Sequence, residues 1–360
     1  MTQVTVIGAA GYVGIELCRE LLRRGHQVTA VTRPNGRFLL DRLGVRVEGP
    51  EPLTRLVPPE VVINLAYPNR GRVSEYPRRN AELLSMIRHL AGEGARIIHL
   101  STQAVFGYAL EYPVVPAPVA DRKDYLYVES KIELENLLAR VARGNELHIV
   151  RMGNVWGPAS PGWTAALADK LLFGDVVGVL GADGFSNVTD VGNVVSYVAE
   201  LVTVPGSSGI QYHHLAEFSD TPWSWWIGRL EARLHVAPVY AAASAFYPST
   251  ITEELLASLA IHSPRTMAHQ WLAGRFTGSW LRTGVRAMPG WLTSRFGRGE
   301  GRPTAGPGRG QPAAPGDAIF LSVMSAKRQF KTVVPAPWTP PVDREAAWQA
   351  AARWLDHAGY

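Results

Sequence analysis

One cysteine in 360 residues excludes a disulfide framework, and a Cys/His zinc site is excluded with it. That residue, Cys18, falls among apolar positions of an N-terminal helical stretch and reads as core, not as a reactive thiol. No apolar run approaches the roughly 18–20 residues needed to cross a bilayer, so no integral membrane segment is expected. Nor does a charged segment precede a short apolar one at the N-terminus; secretion is not expected and the chain reads as cytoplasmic. The net charge of +5 is carried mostly by arginine, but the arginines form no stripe interleaved with stacking aromatics. Nucleic acid is therefore not an expected partner, and attraction to an anionic small molecule is the simpler use of the charge. The pair His213-His214 lacks a third ligand at useful spacing and reads as part of a strand.

What is present begins at residue 4. Val4-Thr5-Val6-Ile7 is a β-branched run of strand character, and it ends in Gly8-Ala-Ala-Gly11-Tyr12-Val13-Gly14. Helical periodicity follows from Ile15 to Gly25. Strand, glycine turn and helix form a dinucleotide-binding unit, in which glycines allow close backbone approach and the helix N-terminus faces a pyrophosphate. The first glycine gap is one residue longer than in the usual fingerprint. Further on, Tyr127-Val-Glu-Ser-Lys131 places a phenol and an ammonium one helical turn apart, on one face. The ammonium favours phenolate and draws the tyrosine from about 10 toward neutrality, so that it can exchange a proton with a substrate oxygen. Ser101-Thr102 closes an apolar strand upstream of that helix.

Together these motifs resemble the extended short-chain dehydrogenase/reductase superfamily, in particular its nucleotide-sugar epimerase/dehydratase group. The glycine loop is similar to that family's cofactor loop, Asn64-Leu-Ala66 to its segment after the fourth strand, and Ile97 to Gly107 to its Ser/Thr strand end. Tyr127 and Lys131 resemble its catalytic pair, Arg151-Met-Gly-Asn154-Val-Trp-Gly157-Pro158 its Arg-x2-Asn-x2-Gly-Pro turn, and Asn187-Val-Thr-Asp190-Val191 its late Val-x-Asp signature. The six matches occupy roughly the first two hundred residues; beyond them the likeness is loose.

Strands at Val28–Thr32, Val61–Ala66, Ala95–Leu100 and Leu147–Arg151 alternate with helices at Asn80–Ala91 and Tyr125–Ala142. Such alternation implies an α/β, doubly wound parallel Rossmann-type sheet with ligands at the carboxyl ends of its strands, where Gly8, Ala66, Thr102 and Asn154 all fall. The expected layout is a dinucleotide-binding domain over 1–165, with 185–216 returning to it. A smaller, mainly helical substrate-binding cap over 166–184 and 217–335 follows, then a C-terminal helix within 336–360. Within the cap, 297–316 reads as a low-complexity, disordered loop. The stretch from Trp271 to Phe296 mixes tryptophan with arginine and could rest on an anionic surface; glycines and Pro289 break it, which favours packing of the cap.

The resemblance implies roles. Tyr127 is the acid/base, Lys131 tunes it and holds the nicotinamide ribose, and Thr102 donates to the same substrate oxygen. Gln103 and Asn154 are candidate substrate contacts, Asn154 and Arg151 shaping the pocket. Gly8, Gly11, Tyr12, Val13, Gly14 and Ala66 line the cofactor. An NAD-selective site places an acid at the end of the second strand; here Arg33 and Arg37 stand there and no acid comes before Asp41, which points to NADP with NAD remaining open. The family's dehydratases carry an Asp-Glu pair after the catalytic threonine, but this chain has Gln103 and Ala104, and it lacks the arginine that usually precedes Val-x-Asp. The expected activity is an NAD(P)(H)-dependent oxidoreductase on a secondary alcohol or ketone of an activated sugar, a ketoreductase first and a 4-epimerase second. A 3β-hydroxysteroid-dehydrogenase-like enzyme and a non-catalytic dinucleotide sensor are the alternatives. Beyond a small-molecule substrate, a homodimer is left open.

Overall fold

Parallel strands cannot be joined by tight turns and need crossover helices, and the first 215 residues supply them in sequence. The computed structural model describes residues 1–33, 36–49, 58–68, 75–107, 126–142, 144–206, 209–241, 320–321, 323–334 and 338–360. Its elements are β1 Gln3–Ile7, α1 Tyr12–Arg23, β2 Gln27–Val31, α2 Arg37–Arg42, β3 Arg46–Glu48, β4 Val61–Asn64, α3 Tyr76–Ala91 and β5 Arg96–Thr102. A 3-10 turn at Gln103–Phe106 precedes α4 Leu126–Val141, β6 Glu146–Met152, β7 Asn154–Trp156, α5 Thr164–Phe173, β8 Val176–Val179 and β9 Val188–Asp190. The described chain then forms α6 Val191–Thr203, β10 Ile210–Leu215, α7 Trp223–Leu234, β11 Val239–Ala241 and, last, α8 Arg344–Ala358.

Seven strands form one sheet in the order β10-β6-β5-β4-β1-β2-β3, every pair parallel. Side chains of a strand alternate between faces, and the two faces carry separate cores. Val4, Val6, Ala30, Ile63, Leu100 and Val150 pack under α1 and α6, whereas Ile7, Val62, Ile97, Leu147 and Ile149 pack under α3 and α4. Registers such as Ile7↔Asn64 and Thr102↔Met152 bring the strand ends level, so the loops leaving them share one edge.

A third core joins α5, α7, α8 and residues 323–324 through Trp156, Trp223, Trp226 and Trp348. The Trp156 and Trp226 rings lie 4.5 Å apart, and Trp163 stacks on Trp223 at 4.9 Å. Two-stranded parallel pairs, β7 with β9 and β8 with β11, complete the region.

Sequence expectation and structure differ where side chains intervene. The fourth strand stops at Asn64, two residues early, because the Asn64 amide takes the Ala66 N–H at 3.1 Å and donates to the Ala66 carbonyl at 3.3 Å. α3 starts four residues early at Tyr76, since a proline is tolerated in a helix's first turn. The Arg151–Pro158 stretch, read as a turn, holds β7. Stretches 271–296 and 297–316 lie outside the described residues. Cys18 is buried as expected, and burial pushes its thiol up to about 12.

His213 is indeed a strand residue, and it belongs to a buried line of polar groups. Glu146, paired with Arg96 at 2.8 Å, can only accept. His148 Nε2 therefore donates to it at 2.9 Å, leaving Nδ1 to accept from His213 Nε2 at 2.9 Å, and His213 Nδ1 accepts from the Tyr197 hydroxyl at 2.7 Å. Neutral rings satisfy every link, and burial lowers both imidazoles, His213 to about 3.

Candidate active site

At the end of β1 the chain turns through Gly8, whose φ of +81° suits glycine. A Cβ there would lie 2.8 Å from the Ala66 nitrogen, so the loop after β4 approaches only because this residue has none. A Cβ on Gly14 would strike the Ala9 carbonyl oxygen at 2.6 Å. Gly11 caps α1 through backbone alone: no side chain accepts from the helix and no acid stands in its first turn. The N–H groups of Tyr12, Val13 and Gly14 thus keep the positive end of the helix open to an anion, as a dinucleotide requires. These residues fit that cofactor.

Arg33, just past β2, is exposed and forms no ion pair among the described residues. Arg37 is committed to Asp41 at 3.0 Å. Strand pairing brings one acid that sequence distance hides: Glu48 at the tip of β3 stands opposite Val31. Its carboxylate accepts from Arg46 at 2.8 Å.

Alternation along β5 separates Ser101 from Thr102. Ser101 is buried and donates to Glu135 on α4; Thr102 is half-buried and its hydroxyl accepts from the Ala104 N–H at 3.2 Å, starting the 3-10 turn. Tyr127 packs against the small apolar cluster of Ala104, Val105, Val128 and Ile132 that joins that turn to α4. One turn along α4, Lys131 is buried, with Nζ donating to the Leu100 carbonyl at 2.9 Å. Burial lowers it to about 8, while Glu135 opposes the shift. Tyr67, immediately after Ala66, meets both: its ring lies edge-on to Tyr127 at 5.2 Å and 4.8 Å from the Lys131 ammonium.

Arg151, Gln103 and Asn154 are each engaged by other parts of the protein. Arg151 is wholly buried and forks onto Glu135, Nη2 to Oε2 at 2.7 Å and Nε to Oε1 at 3.2 Å, between the rings of Phe106 and Tyr212. The expectation that it shapes the pocket is corrected: β6 alternation turns it toward α4, together with Ile149. Gln103 is buried and donates to the Leu215 carbonyl at 3.0 Å, tying the 3-10 turn to β10, and its buried Oε1 has no partner among the described residues. Asn154 donates to the Ser186 carbonyl at 2.6 Å. Asn187, at a φ of +47°, donates to the Arg328 carbonyl and accepts from the Phe330 N–H, each at 2.8 Å. Arg328 itself donates to the Phe106 carbonyl at 2.5 Å. A segment near the C-terminus is so fastened to the 3-10 turn after Thr102. No local motif announces Tyr67 or Arg328.

Two carboxyls lie buried beside the loop. Burial raises Glu217 to about 7, against a hydrogen bond from Thr189 at 2.7 Å, and raises Asp190, the N-cap of α6, to about 6. The Tyr12 hydroxyl is buried with no hydrogen-bond partner among the described residues, and burial raises it too. Where β8, β11 and α7 meet, Gly178, Asp183, Trp223, Ser224, Tyr240 and Met324 line a cavity of about 440 Å³. Among the described residues no helix is long and apolar enough to cross a membrane, and no cluster of His, Cys, Asp and Glu could hold a metal.

A seven-stranded parallel sheet of this order, with an open helix N-terminus behind a glycine loop, defines a nicotinamide-dinucleotide enzyme of the extended short-chain dehydrogenase type. Residues 4–199, more than half of the chain, match the NAD dependent epimerase/dehydratase family, and the chain belongs to it. Similar solved structures include the UDP-glucose 4-epimerase of Thermotoga maritima with UDP-glucose, at 17% identity over 99% of this chain and 99% of that one, TM-score 0.61. The UDP-glucose 4-epimerase of Thermus thermophilus with NAD is 20% identical over 67% of this chain and 86% of that one, TM-score 0.51. The ADP-L-glycero-D-manno-heptose-6-epimerase of Helicobacter pylori is 16% identical over 67% and 85%, TM-score 0.53. At these identities the likeness is one of fold. No curated protein sequence matches the chain.

Proposed function

We propose that this enzyme acts at a secondary alcohol or ketone carbon of a nucleotide-linked sugar, as an NADPH-dependent ketoreductase. The observation that carries the reading is the buried Lys131 ammonium one turn from Tyr127, on a helix that packs against the turn begun by Thr102. The dinucleotide, when bound, supplies or accepts a hydride. Tyr127 gives the substrate oxygen its proton as the hydride arrives, and Lys131 favours the phenolate that remains. Thr102 donates a hydrogen bond to that oxygen. Gly8, Gly11, Tyr12, Val13 and Gly14 would hold the pyrophosphate by backbone, and Ala66 would face the nicotinamide side. Gln103 and Asn154, both engaged with backbone carbonyls, would border the substrate. The cavity at β8, β11 and α7 offers space for part of it, in the cap expected over 166–184 and 217–335.

Loss of water from a sugar needs an acid at the departing hydroxyl. The 3-10 turn Gln103–Phe106 carries no carboxylate, which argues against a dehydratase. The NADP preference rests on Arg33, which is exposed and has no ion pair among the described residues, while Glu48 is engaged by Arg46. A 4-epimerase is the second reading. It is favoured by the epimerases among the structural neighbours and by the sufficiency of the same Thr/Tyr/Lys set. Supplying 4-keto sugar nucleotides with NADPH and following its absorbance separates the two. Stoichiometric loss is expected; interconversion of two reduced epimers without net cofactor consumption would establish the epimerase instead.

A further inference from the structure

Tyr67 precedes Pro68, which confines it to extended backbone. Its neighbours are pinned as well. Asn64 grips both backbone polar groups of Ala66, His99 Nδ1 meets Asn64 Nδ2 at 3.0 Å, and the Leu65 N–H donates to the Ile7 carbonyl at 2.9 Å. The backbone that carries the ring is therefore a pinned strand end. It meets Lys131 by its face and Tyr127 by its edge. Of the three N–H bonds on the ammonium, the Leu100 carbonyl takes one.

We propose that Tyr67 is a positioning residue: its ring face keeps the Lys131 ammonium charged and in place beside Tyr127 before any ligand arrives. The quadrupole of an aromatic face attracts a cation, most strongly where water is excluded. Lys131 needs such support, because burial alone drives it toward the neutral amine. The groups facing it are few. Glu135 on α4 favours the cation, and Tyr127 lies one turn before it; His99 on β5 is held neutral by burial, with Lys131 adding to that effect. Arg151 on β6 is taken up by Glu135. Among the described residues, removing the ring face leaves Glu135 and the Leu100 carbonyl to hold the charge.

The role of the pair in turnover rests on the proposed function, but the hold of Tyr67 on Lys131 does not, and one experiment reads them separately. The chain has five lysines, Lys123, Lys131, Lys170, Lys327 and Lys331, so full-length protein labelled with ε-13C lysine gives few signals. Replacing the other four singly by arginine assigns Lys131. In the unsubstituted protein its signal should titrate near 8. In Tyr67→Leu its acid dissociation constant should rise by roughly two- to thirty-fold, the range a cation–π contact supports. Tyr67→Phe, which keeps the ring, should stay within about twofold of the parent by the same reasoning. Tyr67→Met serves in place of Tyr67→Leu if the latter fails to fold by circular dichroism. A Tyr67→Leu titration identical to the parent would overturn the proposal. So would a Tyr67→Phe shift as large as that of Tyr67→Leu, which would assign the effect to the hydroxyl. The alkaline limb of turnover on 4-keto sugar nucleotides should move with the lysine titration. If the lysine moves and turnover does not, the positioning stands and the catalytic reading of the pair falls.

Discussion

Replacing Arg151 by methionine would remove a guanidinium whose side chain is 0% exposed from a carboxylate that is 4% exposed. Methionine fills the slot between Phe106 and Tyr212 without a donor. Glu135 Oε2 then loses its partner at 2.7 Å, and Oε1 keeps only the Ser101 hydroxyl. Breaking a buried pair from one side strands a desolvated charge and costs about 3–5 kcal/mol. For a chain of 360 residues that lowers Tm by roughly 4–7 °C. Removing both charges together is different, because neither remains to be desolvated alone. The double variant Glu135→Leu, Arg151→Met should recover part of the loss, the remainder coming from Lys131, whose buried ammonium Glu135 supports. Thermal unfolding followed by circular dichroism on the parent, both single variants and the double variant closes the cycle. The reasoning is refuted if Arg151→Met costs less than about 1 kcal/mol, or if the double variant is worse than the two single losses added.

Three further outcomes follow from the site. Tyr127→Phe keeps the ring but has no proton to give, so turnover should fall by roughly two to four orders of magnitude while cofactor binding, read by nicotinamide fluorescence, survives. Arg33→Ala should weaken NADPH more than NADH, by about 1.5–3 kcal/mol for a charge-assisted contact; titration calorimetry with both cofactors shows whether the two are weakened alike, which would reject the 2′-phosphate role. Stability should also respond to alkali through Lys131. Burial lowers its pKa to about 8 in the folded state, so above pH 8 the folded protein sheds a proton that the unfolded chain keeps to about 10.5. The unfolded state then binds more protons, and stability rises with pH across that window by up to ~3 kcal/mol. Urea unfolding of the parent against Lys131→Met between pH 7.5 and 10.5 should show that slope in the parent only.

Local signals were legible in the sequence and long-range ones were not. The glycine loop and the Tyr127/Lys131 spacing are confined to a few consecutive residues, so the sequence alone could present them as motifs. The sheet could be read from alternating β-branched runs, though Asn64 ended one strand with its own side chain. Arg151 stood in a family-like turn and invited a pocket role, yet strand alternation set it facing Glu135, 16 residues earlier. Glu48 reaches the end of β2 only by strand pairing, and Arg328 reaches Phe106 across 222 residues. Tyr67 carried no pattern at all; only the fold brings its ring to a lysine on another element.

The one-way line from Tyr197 to Glu146 has a consequence for how the enzyme senses acidity. Imidazole is the side chain that ordinarily changes charge near neutral pH, and here burial lowers the buried imidazoles. Burial lowers His99 and His148, His213 to about 3 and His214 to about 4. The vacated interval is taken by groups that normally lie outside it: Asp190 at about 6, Glu217 at about 7 and Lys131 at about 8. Asp190 acts on Tyr12 of the dinucleotide loop, Glu217 lies beside Asp190, and Lys131 stands one turn from Tyr127. In the interior, the familiar division of labour is inverted, with carboxyls and an amine covering the physiological range while His148 and His213 serve as uncharged links between Tyr197 and Glu146.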